Sequence, residues 1–377
     1  MTGKDFVVSS QLFSPIRLRD LALANRIVVS PMCQYSAHEG SATDWHLMHL
    51  GQFAVSGVGM VIMEMTNVEP AGRITPRCMG LWSDANEAAL KRVVAFFRDH
   101  GSARFGVQLA HAGRKASTLP PWEGRRALTP AEGGWTPLAT SAVPTGKGAL
   151  EPHPLTVDEI VGLTQAFADA ARRADRAGVE AIELHAAHGY LLHQFLSPLS
   201  NRRDDRYGGP LANRMRFPLE VFRAVRAVWP AHKPLGIRVS ATDWAEGGWD
   251  LEQTLAFAHE LKKLECDWID VSSGGLVKNQ VIETAPGYQV PFAEAVRRET
   301  RLTTMAGGMI TDPNQAEAII ASGTADLVAL ARGMLYDPRW AWHAAHELGA
   351  EVAYPNQYLR CRPWVRNDTF AEREAAR

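Results

Sequence analysis

Short apolar, β-branched runs alternate along the chain with longer stretches in which apolar residues return every three or four positions. The short runs fall at residues 26–30, 59–64, 104–109, 180–184, 235–239, 268–271, 302–306 and 326–331, which predicts eight strands. The longer stretches read as helices with identifiable ends. Thr156 and Glu159 form a capping box ahead of an apolar face of Ile160, Leu163, Phe167, Ala170 and Ala174, and Gly178 stops that helix. Asp312, Pro313 and Gln315 start a second that ends at Gly323, and Asp84 with Glu87 opens a third that closes at Gly101.

Eight strand–helix units in succession predict an α/β fold, a (β/α)8 TIM barrel, because right-handed crossovers of this length favour parallel neighbours. An open doubly wound sheet is the rival arrangement. The 377 residues suit one barrel domain spanning 1–377. Residues 116–154, rich in Pro, Gly and Trp, break the rhythm and predict an insertion that lids the C-terminal barrel face. In such barrels the reactive face is where strands end. Polar residues gather there: Cys33 and Tyr35, Gln108 and His111, His185 and His188, Arg238, Ser272 and Ser273, then Gly307, Gly308 and Arg332.

Composition narrows the partners. Hydrophobic residues make up 46% and charged residues 21%, an ordinary globular balance with ample material for a core. A formal net charge of −1 excludes a broadly basic nucleic-acid surface and gives no attraction to membranes. The best candidate span, residues 53–65, is interrupted by Ser56, Gly57, Gly59 and Glu64. The first eleven residues lack the layout of a secretory signal, so a cytoplasmic protein is expected. Cys33, Cys78, Cys266 and Cys361 form no CxxC pair, so neither a zinc site nor an iron–sulfur cluster is expected, and a disulfide framework does not suit so large a chain.

Two local features carry chemistry. Gly307–Gly308 after the seventh strand and Arg332–Gly333 after the eighth sit where this fold holds a phosphate, with backbone amides and a guanidinium to grip it. Two ordinary tight turns would look the same. No Gly-rich dinucleotide fingerprint follows a strand, so a bound mononucleotide fits better. The segment ELHAAHGY at 183–190 brings two imidazoles and a phenol together. His185 and His188 could hydrogen-bond one carbonyl oxygen and stabilise charge growing there, while Tyr190, protonated at neutral pH, could give a proton to carbon. A metal-binding pair and a purely structural pair are the alternatives.

The chain resembles the Old Yellow Enzyme family of flavin oxidoreductases from Phe13 to about Trp364. The resemblance rests on NRIVVSPMCQY (25–35), QLAHAGRKA (108–116), HAAHGYLLHQFLSPLSN (185–201) with RYGG (206–209), PGYQ (286–289) and AGGMI (306–310). Cys33, Tyr35 and the His-x-x-His form are similar to the thermophilic-like subgroup, and PWEG (121–124) to its xenobiotic reductases. The resemblance implies non-covalent FMN held by Ser30, Pro31, Met32, Cys33, Met65, Gln108, Arg238, Gly307, Gly308 and Arg332. Tyr35, His185 and His188 are then expected to bind substrate, with Tyr190 as proton donor and Cys33 tuning the flavin. It further implies NAD(P)H as reductant, NADPH favoured, small activated alkenes as oxidants, and a homodimer or homotetramer. Within residues 350–377, Arg360 or Trp364 would reach a neighbouring subunit's site. A metal-dependent barrel hydrolase and a non-catalytic binding barrel are the readings from other classes.

Overall fold

The computed structural model describes residues 10–146 and 148–362. Eight parallel strands close into a barrel: β1 (Ile27–Val29), β2 (Met60–Asn67), β3 (Arg104–Ala110), β4 (Ala181–Ala186), β5 (Leu235–Ser240), β6 (Trp268–Ser272), β7 (Thr303–Ala306) and β8 (Leu327–Leu330). Each neighbours the next in the chain, and β8 pairs with β1 to seal the ring. All eight expected strands belong to it, and the open sheet is excluded.

Side-chain alternation sorts each strand into an inner and an outer face. On β4, Ile182, Leu184 and Ala186 join the large apolar layer under the helices, while Ala181 faces the barrel interior. The interior floor is Val28, Met60, Ile62, Ala181, Trp268, Met305, Leu327 and Ala329, closed from below by Leu18, Leu21 and Leu23. These last come from an antiparallel hairpin, Ile16–Leu18 with Leu21–Leu23, whose two short strands the sequence pattern missed. Gly236 has no choice of side chain: a Cβ there would lie 2.0 Å from Cε2 of Trp268. Above this floor the inward positions turn polar.

Helix ends follow local chemistry. The helix Val157–Ala177 has Thr156 as N-cap, with its hydroxyl accepting from the Glu159 amide, and ends at Gly178 in the left-handed conformation. Asp84 is not the cap of the helix Asp84–His100; Ser83 is, because its hydroxyl reaches the Asn86 amide. Asp312 caps Pro313–Ala321, which stops at Ser322, one residue short of Gly323. No helix among the described residues is long and apolar enough to cross a membrane.

Five strands run further than expected, β3, β5 and β6 by one residue and β2 and β4 by more. β4 continues through His185 to Ala186, and β2 continues to Asn67 with a register shift between Met63 and Met65. Inward polar residues at their ends imitate the start of a loop. The 116–154 insertion has structure of its own: 3-10 turns at Pro121–Glu123 and Pro130–Glu132, and a parallel pairing of Leu138–Ala139 with His153–Pro154. It is tied down by Thr118 N to Ile74 O (2.9 Å), Trp135 Nε1 to Ala71 O (2.9 Å) and Arg203 to Thr140 O (3.0 Å).

Candidate active site

The polar storey above the floor is built from Gln108 and Glu183, paired across β3 and β4, and from Arg238 and Asp270, paired across β5 and β6. Gln108 Nε2 donates to Glu183 Oε1 at 2.8 Å, and Trp268 Nε1 donates to Glu183 Oε2 at 3.2 Å. The first bond turns the Gln108 amide so that its carbonyl is free for another group. Burial pushes the Glu183 carboxyl up to about 8, with the nearby Asp270 acting the same way. Burial also raises Asp270, opposed by Arg238. Arg238 Nε lies 3.2 Å from Asp270 Oδ2, yet neither that nitrogen nor either Asp270 oxygen makes a hydrogen bond within the protein.

His185 pairs in register with Arg238, and His188 follows just beyond the end of β4. Their rings meet edge to face with centroids 5.2 Å apart, and the Tyr190 ring lies 4.9 Å from His185. His185 Nδ1 accepts from the Ala187 amide at 3.3 Å, which leaves Nε2 as the protonated nitrogen. His188 Nε2 lies 2.7 Å from Ser272 Oγ, and Gln289 Nε2 donates to that same hydroxyl at 3.3 Å. Where the Ser272 hydroxyl gives its proton to Nε2, Nδ1 of His188 carries the imidazole hydrogen. Burial, reinforced by the Arg238 charge, holds both imidazoles well below their usual range, so both are neutral near pH 7. Burial likewise lifts the Tyr190 phenol well above 10.

The loop carrying this pair is held in an unusual shape. His188 has a left-handed φ of +57°. Its amide donates to Ser240 Oγ at 3.0 Å, and its carbonyl accepts from Lys115 Nζ at 2.6 Å. Lys115 also donates to the Gly275 carbonyl and rests 5.4 Å from the Tyr190 ring centroid. A Cβ at Gly275 would meet His188 Cα at 2.7 Å, so glycine is required there.

Cys33, Tyr35 and Tyr190 pack around one small apolar cluster that includes Met65 and Cys78. Burial, then Glu64, keeps the Cys33 thiol protonated, which argues against a nucleophile. Tyr35 has φ +50°, and its ring takes the edge of Trp122 at 5.8 Å. Ser30 is buried and its amide donates to Leu330 O at 2.9 Å; Pro31 and Met32 follow directly. At the phosphate end, Gly308 has φ +96° beside Gln289, and Arg332 is exposed at the start of the short helix Arg332–Tyr336.

The residues fit a flavin. The free Gln108 carbonyl and the unsatisfied Arg238 would hold the N–H and carbonyl groups of its ring, and Gly307, Gly308 and Arg332 would hold its phosphate. Sequence reasoning missed Lys115, Ser240, Glu183 and Asp270 as site residues. A carboxylate inside the apolar run 268–271 was the available signal for Asp270. Arg360 is exposed on Asn356–Cys361, where Tyr358 and the preceding Tyr354 pack on Trp342, and it does not line its own chain's mouth. Trp364 lies outside the described residues.

A profile of the NADH:flavin oxidoreductase / NADH oxidase family matches residues 11–351. The chain belongs to this family. It is 46% identical over 353 residues to an NADPH dehydrogenase of Listeria innocua serovar 6a, covering 93% of this chain and 99% of that one. An NADPH dehydrogenase of Geobacillus thermodenitrificans is 44% identical over 355 residues, with 94% and 99% covered. Morphinone reductase in complex with tetrahydroNAD superposes with a TM-score of 0.74 at 29% identity, covering 92% of each chain. The Old Yellow Enzyme resemblance therefore holds, and the chain is a flavin oxidoreductase. 2-Naphthoyl-CoA reductase shares the fold with a TM-score of 0.80, at 24% identity and across 52% of its own length.

Proposed function

We propose that this oxidoreductase reduces the C=C bond of α,β-unsaturated carbonyl or nitro compounds at the expense of NADPH, with non-covalent FMN as cofactor. FMN rather than a dinucleotide flavin is favoured because the phosphate end offers only Gly307, Gly308 and Arg332 and no dinucleotide fingerprint exists. When bound, FMN supplies hydride transfer from the coenzyme and to the β carbon. Gln108, Arg238 and the segment Ser30, Pro31, Met32, Cys33 with Met65 hold it; Tyr35 borders the substrate.

The single observation that carries the reading is the pair of neutral imidazoles beside a protonated phenol. His185 Nε2–H and His188 Nδ1–H donate to the oxygen of the activating group. Those bonds strengthen as negative charge grows on that oxygen, which makes the β carbon electron-poor. Tyr190 gives its hydroxyl proton to the α carbon. The Lys115 ammonium near its ring stabilises the phenolate left behind until solvent restores the proton. The 116–154 insertion lids the mouth. We read the assembly as a homodimer or homotetramer in which Arg360 approaches the neighbouring site.

Tyr190→Phe tests this directly by rapid mixing of the two half-reactions. Alkene reduction by the reduced variant should slow by about a hundredfold or more, while flavin reduction by NADPH changes little. Equal losses in both would refute the proton-donor role.

A further inference from the structure

Beyond Tyr35 and Tyr190 the mouth opens into a chamber of about 730 Å³, walled by the insertion on one side and by residues 275–280 on the other. Its lining includes Arg114, Lys115, Arg125, Arg126 and Lys278 and contains no Asp or Glu. Five cations without a carboxylate among them is not a wall for a small neutral enone.

Their charges are unequally compensated. Arg126 is bound through both terminal nitrogens by Glu132, at 2.9 and 2.5 Å, so little of its charge is left for a ligand. Arg114 is only 5% exposed and donates to two backbone carbonyls, Val143 O and Leu276 O, while its Nε has no partner. Lys115 is held by carbonyl oxygens alone. Among the described residues, the side chains of Arg125 and Lys278 make neither an ion pair nor a hydrogen bond. Arg125 holds a left-handed φ of +55° at the rim, close enough that its charge acts on both Tyr35 and Tyr190. Arg114 is buried without an ion pair, and Arg125 and Lys278 stand exposed at the rim with no carboxylate in the lining to neutralise them, so an anionic ligand group is attracted to all three. The chamber therefore favours a ligand that carries such a group.

We propose that this chamber binds the ribose 2′-phosphate of NADPH, with Arg125 and Lys278 as its outer contacts and Arg114 behind them, and that it sets the preference for NADPH over NADH. The inference rests on the flavin-oxidoreductase reading, since the nicotinamide has to meet the flavin beside His185 and His188. The barrel floor is closed by Trp268 and the hairpin, so the adenosine end of the coenzyme leaves through the mouth, where the chamber lies. NADPH differs from NADH by one phosphate monoester, which brings between one and two further negative charges at neutral pH. The chamber's volume is within the range that takes a ligand portion of this size.

The test uses the FMN-loaded full chain with Arg125→Gln, Lys278→Gln and the double variant. Anaerobic flavin reduction should show the Kd for NADPH rising about tenfold or more in the double variant, with the limiting rate and the Kd for NADH nearly unchanged. Titration calorimetry should show adenosine 2′,5′-bisphosphate binding more tightly than 5′-AMP to the parent protein, and the difference collapsing in the double variant. Equal weakening of both coenzymes, or no change in either, would overturn the assignment. So would unchanged NADPH binding with a raised KM only for carboxylate-bearing enones, which would give the chamber to the oxidant. If neither coenzyme reduces the parent flavin, the oxidoreductase reading fails, and calorimetry still decides what the chamber binds.

Discussion

Single side chains decide the chemistry here, and their protonation states are set by what surrounds them. Ser272 is the least obvious. It joins Gln289 to His188, and in the proposed arrangement its hydroxyl donates to Nε2 and leaves Nδ1 to present a proton. Ser272→Ala should therefore lower kcat/KM for an enone by about tenfold or more while FMN stays bound. Full activity in that variant would leave the tautomer to be set elsewhere. Lys115 gives a pH limb. Burial, with the nearby Arg114 and Arg125 charges, pulls its ammonium down to about 8. Alkene reduction should thus decline as pH rises past 8, when the phenolate of Tyr190 loses its neighbouring cation. Lys115→Gln should be slower at pH 7 and lack that limb; a limb that persists would clear Lys115 of the role. At this scale the sequence was informative for residues inside quoted motifs. His185, His188 and Tyr190 converge as expected, whereas Lys115 stood in a motif without its role being visible. Its partners, the carbonyls of His188 and Gly275, lie 73 and 160 positions away.

Strands and loops determine where those side chains stand. Most barrel strands were legible because their outer face is an apolar row beneath helices, as on β3 with Phe105, Val107 and Leu109. The ends were less legible. Inward polar residues such as His185 and Ser272 continue a strand's pairing while reading as loop, and the period-2 rule recovers them only once the barrel interior is known to be polar at that level. The three-residue strands of the hairpin carry too few positions for any period to show. Gly236 is where an element most plainly depends on one residue. Gly236→Ala drives a methyl into the Trp268 ring and should cost about 1–3 kcal/mol, read from the urea midpoint of the flavin-free protein. An unchanged midpoint would mean that Trp268 has room to move.

The whole molecule combines a dry apolar floor, a buried acidic storey and a cationic mouth. The acidic storey has a consequence for stability. Glu183 ionises near 4.5 when unfolded but retains its proton up to about 8 in the fold. The folded state binds more protons between those values, so stability of the flavin-free protein should be full below pH 4.5, fall as pH rises, and lose this contribution once pH passes 8. Glu183→Gln should flatten that slope in denaturant titrations across the same window. An unaltered slope would assign it to other groups. The proposed chemistry has flavin, paired imidazoles and phenol act together on one alkene in the mouth. Its most direct test is anaerobic and spectroscopic: NADPH is added to the FMN-loaded protein in equal amount, followed by cyclohexenone. The account expects the flavin absorbance to bleach with the first addition and return with the second, with one cyclohexanone formed per flavin. A flavin that NADPH cannot bleach, or that stays bleached in the presence of the enone, would contradict it.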